Sequence, residues 1–173
     1  MTTTIDGSAG VTTNSGAVYN GIASGTAVAS TSGTSIDFTG IPSWVKRITV
    51  MFNGVSTSGT SFYQIQLGAG SVTTTGYINA VYRGGSNTIV TAGQTTGFGI
   101  AVVSATSTVS GSAIFSLVSG NNWSCQGTFA DASANIFGTA GSIALGGTLD
   151  RVRITTVNGT DTFDAGSINI LYE

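Results

Sequence analysis

The chain has no histidine, one cysteine and one proline among 173 residues, and only 7% of its residues are charged. Each scarcity excludes something. Without imidazole there is no serine or cysteine triad of the usual kind, no common zinc site, and no side chain whose ordinary pKa lies near neutrality. A single thiol, Cys125, cannot form a disulfide within the chain, which leaves the redox compartment open. Five basic residues against seven acidic ones cannot neutralise a run of phosphates, so nucleic-acid binding has no electrostatic source. No apolar run approaches the roughly 20 residues that a membrane-spanning helix needs. The N-terminus has neither a basic n-region nor an apolar h-region and is not expected to be a secretory signal.

What is present is glycine, at 26 positions, with abundant Ser, Thr and Asn and an apolar share of 40%. That apolar share separates the chain from disordered sequences. Its length suits one domain, or one domain plus an arm, and a chain of this size buries about 70% of its unfolded surface. Glycine at this density opposes helix, at about 1 kcal/mol per interior position. Short stretches rich in Val, Ile, Thr, Phe and Tyr recur between Gly, Ser and Asn clusters, the punctuation of a sandwich or barrel. Strands are predicted near 35–39, 45–52, 62–67, 77–82, 98–103, 113–118, 123–129, 142–145, 151–157 and 167–172. Strands of this number and length suit two packed sheets, an all-β sandwich. Alternation places Ile48, Val50 and Phe52 inward with Arg47 and Thr49 outward, and Val152 and Ile154 inward with Arg151 and Arg153 in water. Asn53-Gly54 and Asn158-Gly159 each read as hairpin turns, because both residue types tolerate positive φ.

Composition changes near Gly33. Residues 1–33 carry isolated apolar side chains, Ile5, Val11, Val18, Tyr19 and Ile22, too sparse to close a core, and read as an extended N-terminal arm before a domain over 34–173. Such an arm is either mobile or ordered against a neighbouring subunit, through those five residues.

Candidate chemistry is thin. Cys125 lies in an apparent strand and reads as a small buried residue. Gly97-Phe98-Gly99 lacks the third glycine and the helix of a dinucleotide fingerprint, so turns and tight strand crossings account for it. Asp161 and Asp164 carry oxygens that suit calcium but lack EF-hand spacing, and the alternative is a hairpin loop with an Asx-turn at Asp161. Asp150 paired with Asp161 or Asp164 is the one glycosidase-like combination, set against solvated or salt-bridging roles. Trp44, Tyr63, Tyr77, Tyr82 and Trp123 suit sheet packing first and sugar stacking second; Trp123, Tyr82 and Arg83 are the candidate ligand-binding residues. No catalytic, metal or cofactor residue is assigned.

The stretch from Ser35-Ile36-Asp37-Phe38-Thr39-Gly40-Ile41-Pro42-Ser43-Trp44 through Val45-Lys46-Arg47-Ile48-Thr49-Val50-Met51-Phe52-Asn53-Gly54-Val55-Ser56 resembles a segment of tail-fibre-like and minor structural proteins of tailed bacteriophages. The likeness continues through Gln64-Ile65-Gln66-Leu67-Gly68 and Thr75-Gly76-Tyr77, and Met1-Thr2-Thr3-Thr4-Ile5-Asp6-Gly7 looks like the start of short phage tail-fibre proteins. It covers about a third of the chain at most. The resemblance implies a virion component made in the bacterial cytoplasm, homotrimeric, with a β-sandwich of jelly-roll type and an N-terminal arm that attaches it to other virion proteins. Tail fibre, tail tip, collar and head-surface decoration all fit. Sparse apolar residues meeting across subunit interfaces agree with a trimer, which also covers strand edges. The expected function is structural and not enzymatic; the alternative is a carbohydrate-binding module that recognises a host surface glycan.

Overall fold

The computed structural model describes residues 21–85, 88–102 and 104–173, together with the backbone of three short strands, β1 (Thr4–Asp6), β2 (Gly10–Thr12) and β3 (Val18–Tyr19). Those three pair as an antiparallel meander, with Ile5 opposite Val11 and Val11 opposite Tyr19.

All other elements are strands too. In chain order they are β4 (Ala23–Ser24), β5 (Val28–Ala29), β6 (Ser35–Thr39), β7 (Arg47–Thr57), β8 (Tyr63–Ala69), β9 (Ser71–Val72), β10 (Ile78–Gly85), β11 (Thr88–Gln94), β12 (Phe98–Ile100), β13 (Val109–Ser119), β14 (Asn122–Asp131), β15 (Ile136–Ala144), β16 (Arg151–Thr156) and β17 (Phe163–Tyr172). They form two packed antiparallel sheets. The larger has nine strands, ordered β11-β10-β15-β14-β13-β7-β17-β4 with β5 also on β17; the smaller has five, ordered β12-β8-β16-β6 with β9 on β8. Neither sheet closes on itself, so the fold is an all-β, sandwich-like one, and each of the ten expected stretches carries a strand.

Period-2 alternation builds the core. Ile48, Val50 and Phe52 point inward from β7, and Val152 and Ile154 point inward from β16, with Ile36 and Phe38 beside them on β6. Aromatic pairs then lock the sheets together: Phe98 of the small sheet meets Phe115 of the large one at 5.4 Å, and Tyr63 meets Phe163 at 6.4 Å. Each such side chain contributes about 1.5–3 kcal/mol by leaving water. The single chain therefore closes its own core, which corrects the expectation that sparse apolar residues need a subunit interface to meet. The scattered apolar residues are confined to the first part of the chain, whereas the sheets supply enough buried Phe, Ile and Val by themselves.

Both Asn-Gly readings need correction. Asn53-Gly54 lies inside β7 as a bulge: Gly54 has φ +63°, and the register slips on both sides, between Val109 and Gly111 on β13 and between Ala165 and Ser167 on β17. The positive φ that a hairpin turn uses here bends a continuous strand instead. Asn158-Gly159 does make a turn, but one that carries the chain from β16 in the small sheet to β17 in the large one. Its Asx residue is Asn158, whose Oδ1 accepts from the Thr160 and Asp161 amides at 3.0 and 3.2 Å; Asp161 instead accepts from the Ser61 amide at 3.0 Å.

Gly97 and Gly99 mark a tight strand crossing. A Cβ at Gly97 would press on Gln64 and Gln66, and one at Gly99 on Gln94 and Val81. The Gly99 amide donates to Asn79 Oδ1 at 2.9 Å, and Gln66 Nε2 donates to the Thr96 carbonyl at 2.8 Å, so the segment between β11 and β12 covers the outer side of β8. The last part of the segment read as an arm, Ala23 to Ala29, runs antiparallel along β17.

Candidate functional site

The four groups weighed for chemistry, Cys125, Asp150, Asp161 and Asp164, are each buried or hydrogen-bonded. Cys125 is buried, and burial pushes its thiol above the usual value, which opposes thiolate formation. Asp150 accepts two hydrogen bonds from Arg151, at 2.8 and 3.0 Å, and one from the Gly70 amide, at 3.1 Å; the Arg151 contact leads in holding its carboxyl below the ordinary range. Asp164 accepts from the Ser56 hydroxyl, and Asp161 from Asn158 Nδ2 at 2.7 Å. Asp150 precedes β16 whereas Asp161 and Asp164 follow it. Six strand residues separate the ends by about 17 Å or more, too far for the roughly 5–9.5 Å of paired glycosidase carboxyls. Among the described residues no three His, Cys, Asp or Glu side chains gather as metal ligands.

The three candidate ligand-binding residues do not share a site. Trp123 alternates inward on β14 and is buried, so it packs the core and cannot stack on a ligand from solvent. Arg83 lies opposite Phe137 and Val90, on the inward-facing side of β10 and half-buried. Tyr82, its chain neighbour, points the other way and is 43% exposed. Trp44 is half-buried, 6.0 Å from Tyr172, while Tyr63 and Tyr77 are core residues. Of the arm residues, Ile22 is exposed, and the side chains of Ile5, Val11, Val18 and Tyr19 lie outside the described residues.

Tyr82 sits in a hollow of about 590 Å³ on the outer face of the large sheet. Strand register builds it in rows. Tyr82, Gly138, Thr128 and Ser112 face one another across β10, β15, β14 and β13, and Ala80, Ala140, Gln126 and Ile114 form the next row. The Tyr82 ring lies across the sheet over Gly138, where a Cβ would overlap it. Glycine at 138 is thus what lets the ring lie down. A second hollow of about 330 Å³ lies beside it, bordered by Ile78, Val118 and Ser142 and reaching the edges of the buried Trp123 and Ile143.

This face carries no ionised side chain among the described residues of β10, β13, β14 and β15 that point outward. Charge lies outside those four strands: Arg153 bonds Asp37 at 2.7 and 2.9 Å on the small sheet, and Arg47, opposite Ser116 where the large sheet continues into β7, pairs with Glu173. Gly138, Gln126, Thr128 and Ser112 were not among the residues singled out from the sequence. The available signal was the period-2 series Gly138, Ala140, Ser142, Ala144, a strand with one side kept small.

Comparisons with known proteins find no matching family model, no matching curated protein and no matching solved structure.

Proposed function

We propose that this chain is a bacteriophage virion structural protein without enzymatic activity: a homotrimeric fibre, tail or head-surface decoration component, made in the host cytoplasm and attached to other virion proteins through its N-terminal arm. The observation that carries the reading is the phage-like segment 35–56, which supplies β6 to one sheet, β7 to the other and the Pro42 connection between them, the frame on which the sandwich is built. A jelly-roll type is supported by the way β7-β8 and β16-β17 each fold over from sheet to sheet and pair, β7 with β17 and β8 with β16, as a doubled ribbon.

Trimer formation draws support from β11. It is an edge strand of seven residues with no charge and no proline, and it exposes Ile89 and Val90. Edges of this composition pair with other chains unless they are covered. Sedimentation at micromolar concentration should give three times the 17.3 kDa chain mass, and the single-chain mass alone would refute assembly. Because β4 and β5 pair with β17, an arm deletion that spares the sandwich should end at residue 20. That truncation should fold and fail to enter particles; normal incorporation would remove the anchoring role.

The second reading, a host-glycan-binding module of a phage adhesin, is favoured by one observation, the Tyr82 ring laid open in a neutral hollow.

A further inference from the structure

A sugar ring has apolar C–H faces and a rim of hydroxyls, so a site for it needs an exposed aromatic face beside polar groups that both donate and accept. The outer face of the large sheet meets both needs. Tyr82 lies over Gly138 with 43% of its surface open, a posture that any side chain at 138 would prevent. Around it stand Ser112, Gln126 and Thr128, whose side chains make no hydrogen bond among the described residues and are available to a ligand. Ile114 and Ala140 close the floor, and the 590 Å³ volume lies within the usual range of about 300–1,000 Å³ for ligand sites. No cation lines the hollow among the described residues, so a carboxylate or sulfate on the ligand would be desolvated without a partner.

We infer that this hollow binds an uncharged saccharide, with a pyranose ring stacked on Tyr82 and its hydroxyls bonded to Gln126, Thr128 and Ser112. The neighbouring 330 Å³ hollow, bordered by Ile78 and Val118, extends the site along the strands for a further ring of the same glycan. The inference rests on the second functional reading and is independent of trimer formation.

The test uses the full chain on an array of neutral and acidic bacterial surface polysaccharides, followed by calorimetric titration with the best-bound neutral oligosaccharide of the array. Saturable binding to neutral glycans is expected. Tyr82→Ala should weaken it about tenfold or more, while Tyr82→Phe should keep it within about threefold. Gly138→Ala keeps the tyrosine but displaces its ring, and should weaken binding as Tyr82→Ala does. Circular dichroism and melting of each variant verify folding, and Gln126→Ala with Thr128→Ala serves as a second probe should either fail to fold. Silence on the array, binding confined to acidic glycans, or affinity unchanged in both Tyr82→Ala and Gly138→Ala would overturn the inference. Sedimentation of the same samples separates the two readings. A 17.3 kDa species that binds neutral glycans upholds the site and overturns the trimer. A glycan-silent oligomer that Tyr82→Ala dissociates makes this face the contact between copies, and overturns the site while the trimer stands.

Discussion

Replacing Gly141 by alanine tests the pairing that holds the candidate site together. Gly141 lies on β15 between Asn79 of β10 and Cys125 of β14. A Cβ there would overlap the Ile78 carbonyl oxygen and come within 2.9 Å of Asn79 Cα, both backbone atoms of β10 that no rotamer change can move. The strand must therefore shift by about an ångström, which as overpacking costs roughly 1–3 kcal/mol. Ladder hydrogen bonds stretched by that shift add about 1 kcal/mol each, for a total near 3 kcal/mol. Gly146 provides the control: it sits in the loop after β15 without positive φ, and no atom of the described residues lies within 4 Å of the position its Cβ would take. Alanine there should stabilise the protein by about 0.4–1 kcal/mol through the unfolded state. For a chain of this size 1 kcal/mol moves the melting temperature by about 2–4 °C. Calorimetry should thus show Gly141→Ala melting about 6–12 °C lower, and Gly146→Ala about 1–4 °C higher. A Gly141→Ala protein melting within about 1 °C of the parent would refute the β10–β15 register, and with it the placement of Tyr82 over Gly138.

Three further outcomes concern ionisation and reactivity. Cys125, buried with its thiol pushed up, should not react with an aromatic disulfide reagent at pH 8 in the native protein, and should react fully once urea unfolds it; fast labelling of the folded state would contradict its burial. Burial alone would raise the Asp131 carboxyl, but hydrogen bonds from Asn135, Ser107 and Ser133 outweigh it and hold the group below its ordinary value. A depressed folded pKa stabilises the protein above the unfolded value near 3.9 and is lost as pH falls through the folded one. Urea melts should therefore show stability falling below about pH 4, with a shallower fall in Asp131→Asn, and an identical acid limb would argue against these bonds. Burial raises the Tyr63 phenol to about 12, so its contribution is complete below the unfolded value near 10 and disappears as pH rises from there toward 12. Its buried hydroxyl, like Thr57 Oγ1, has no well-formed partner among the described residues, so Tyr63→Phe should keep neutral-pH stability within about 1 kcal/mol and flatten the alkaline loss. An alkaline melting series in which parent and variant coincide would exclude that role.

Much of the fold is legible one strand at a time. In β7 and β16 the alternation of Ile48, Val50 and Phe52, and of Val152 and Ile154, fixes which side is buried wherever the strand pairs. β11 escaped because Ile89 and Val90 are exposed at an edge, where no burial pattern marks a strand. The candidate site was half legible. Tyr82 was identified, but so were Trp123, which parity turns inward, and Arg83, which the same strand sends to the opposite side.

By itself, the sequence determined the all-β character, most of the strands and the poverty of reactive groups, because strand propensity, glycine content and missing histidine are properties of residues and their near neighbours. Tertiary structure alone decided that Asn53-Gly54 bends a strand, that Asp150 and Asp161 lie at opposite ends of one, and that Gly138 sits under Tyr82. Each of these depends on which strands pair and in what register, and residues 56 apart in the chain, like Tyr82 and Gly138, carry no local trace of facing each other.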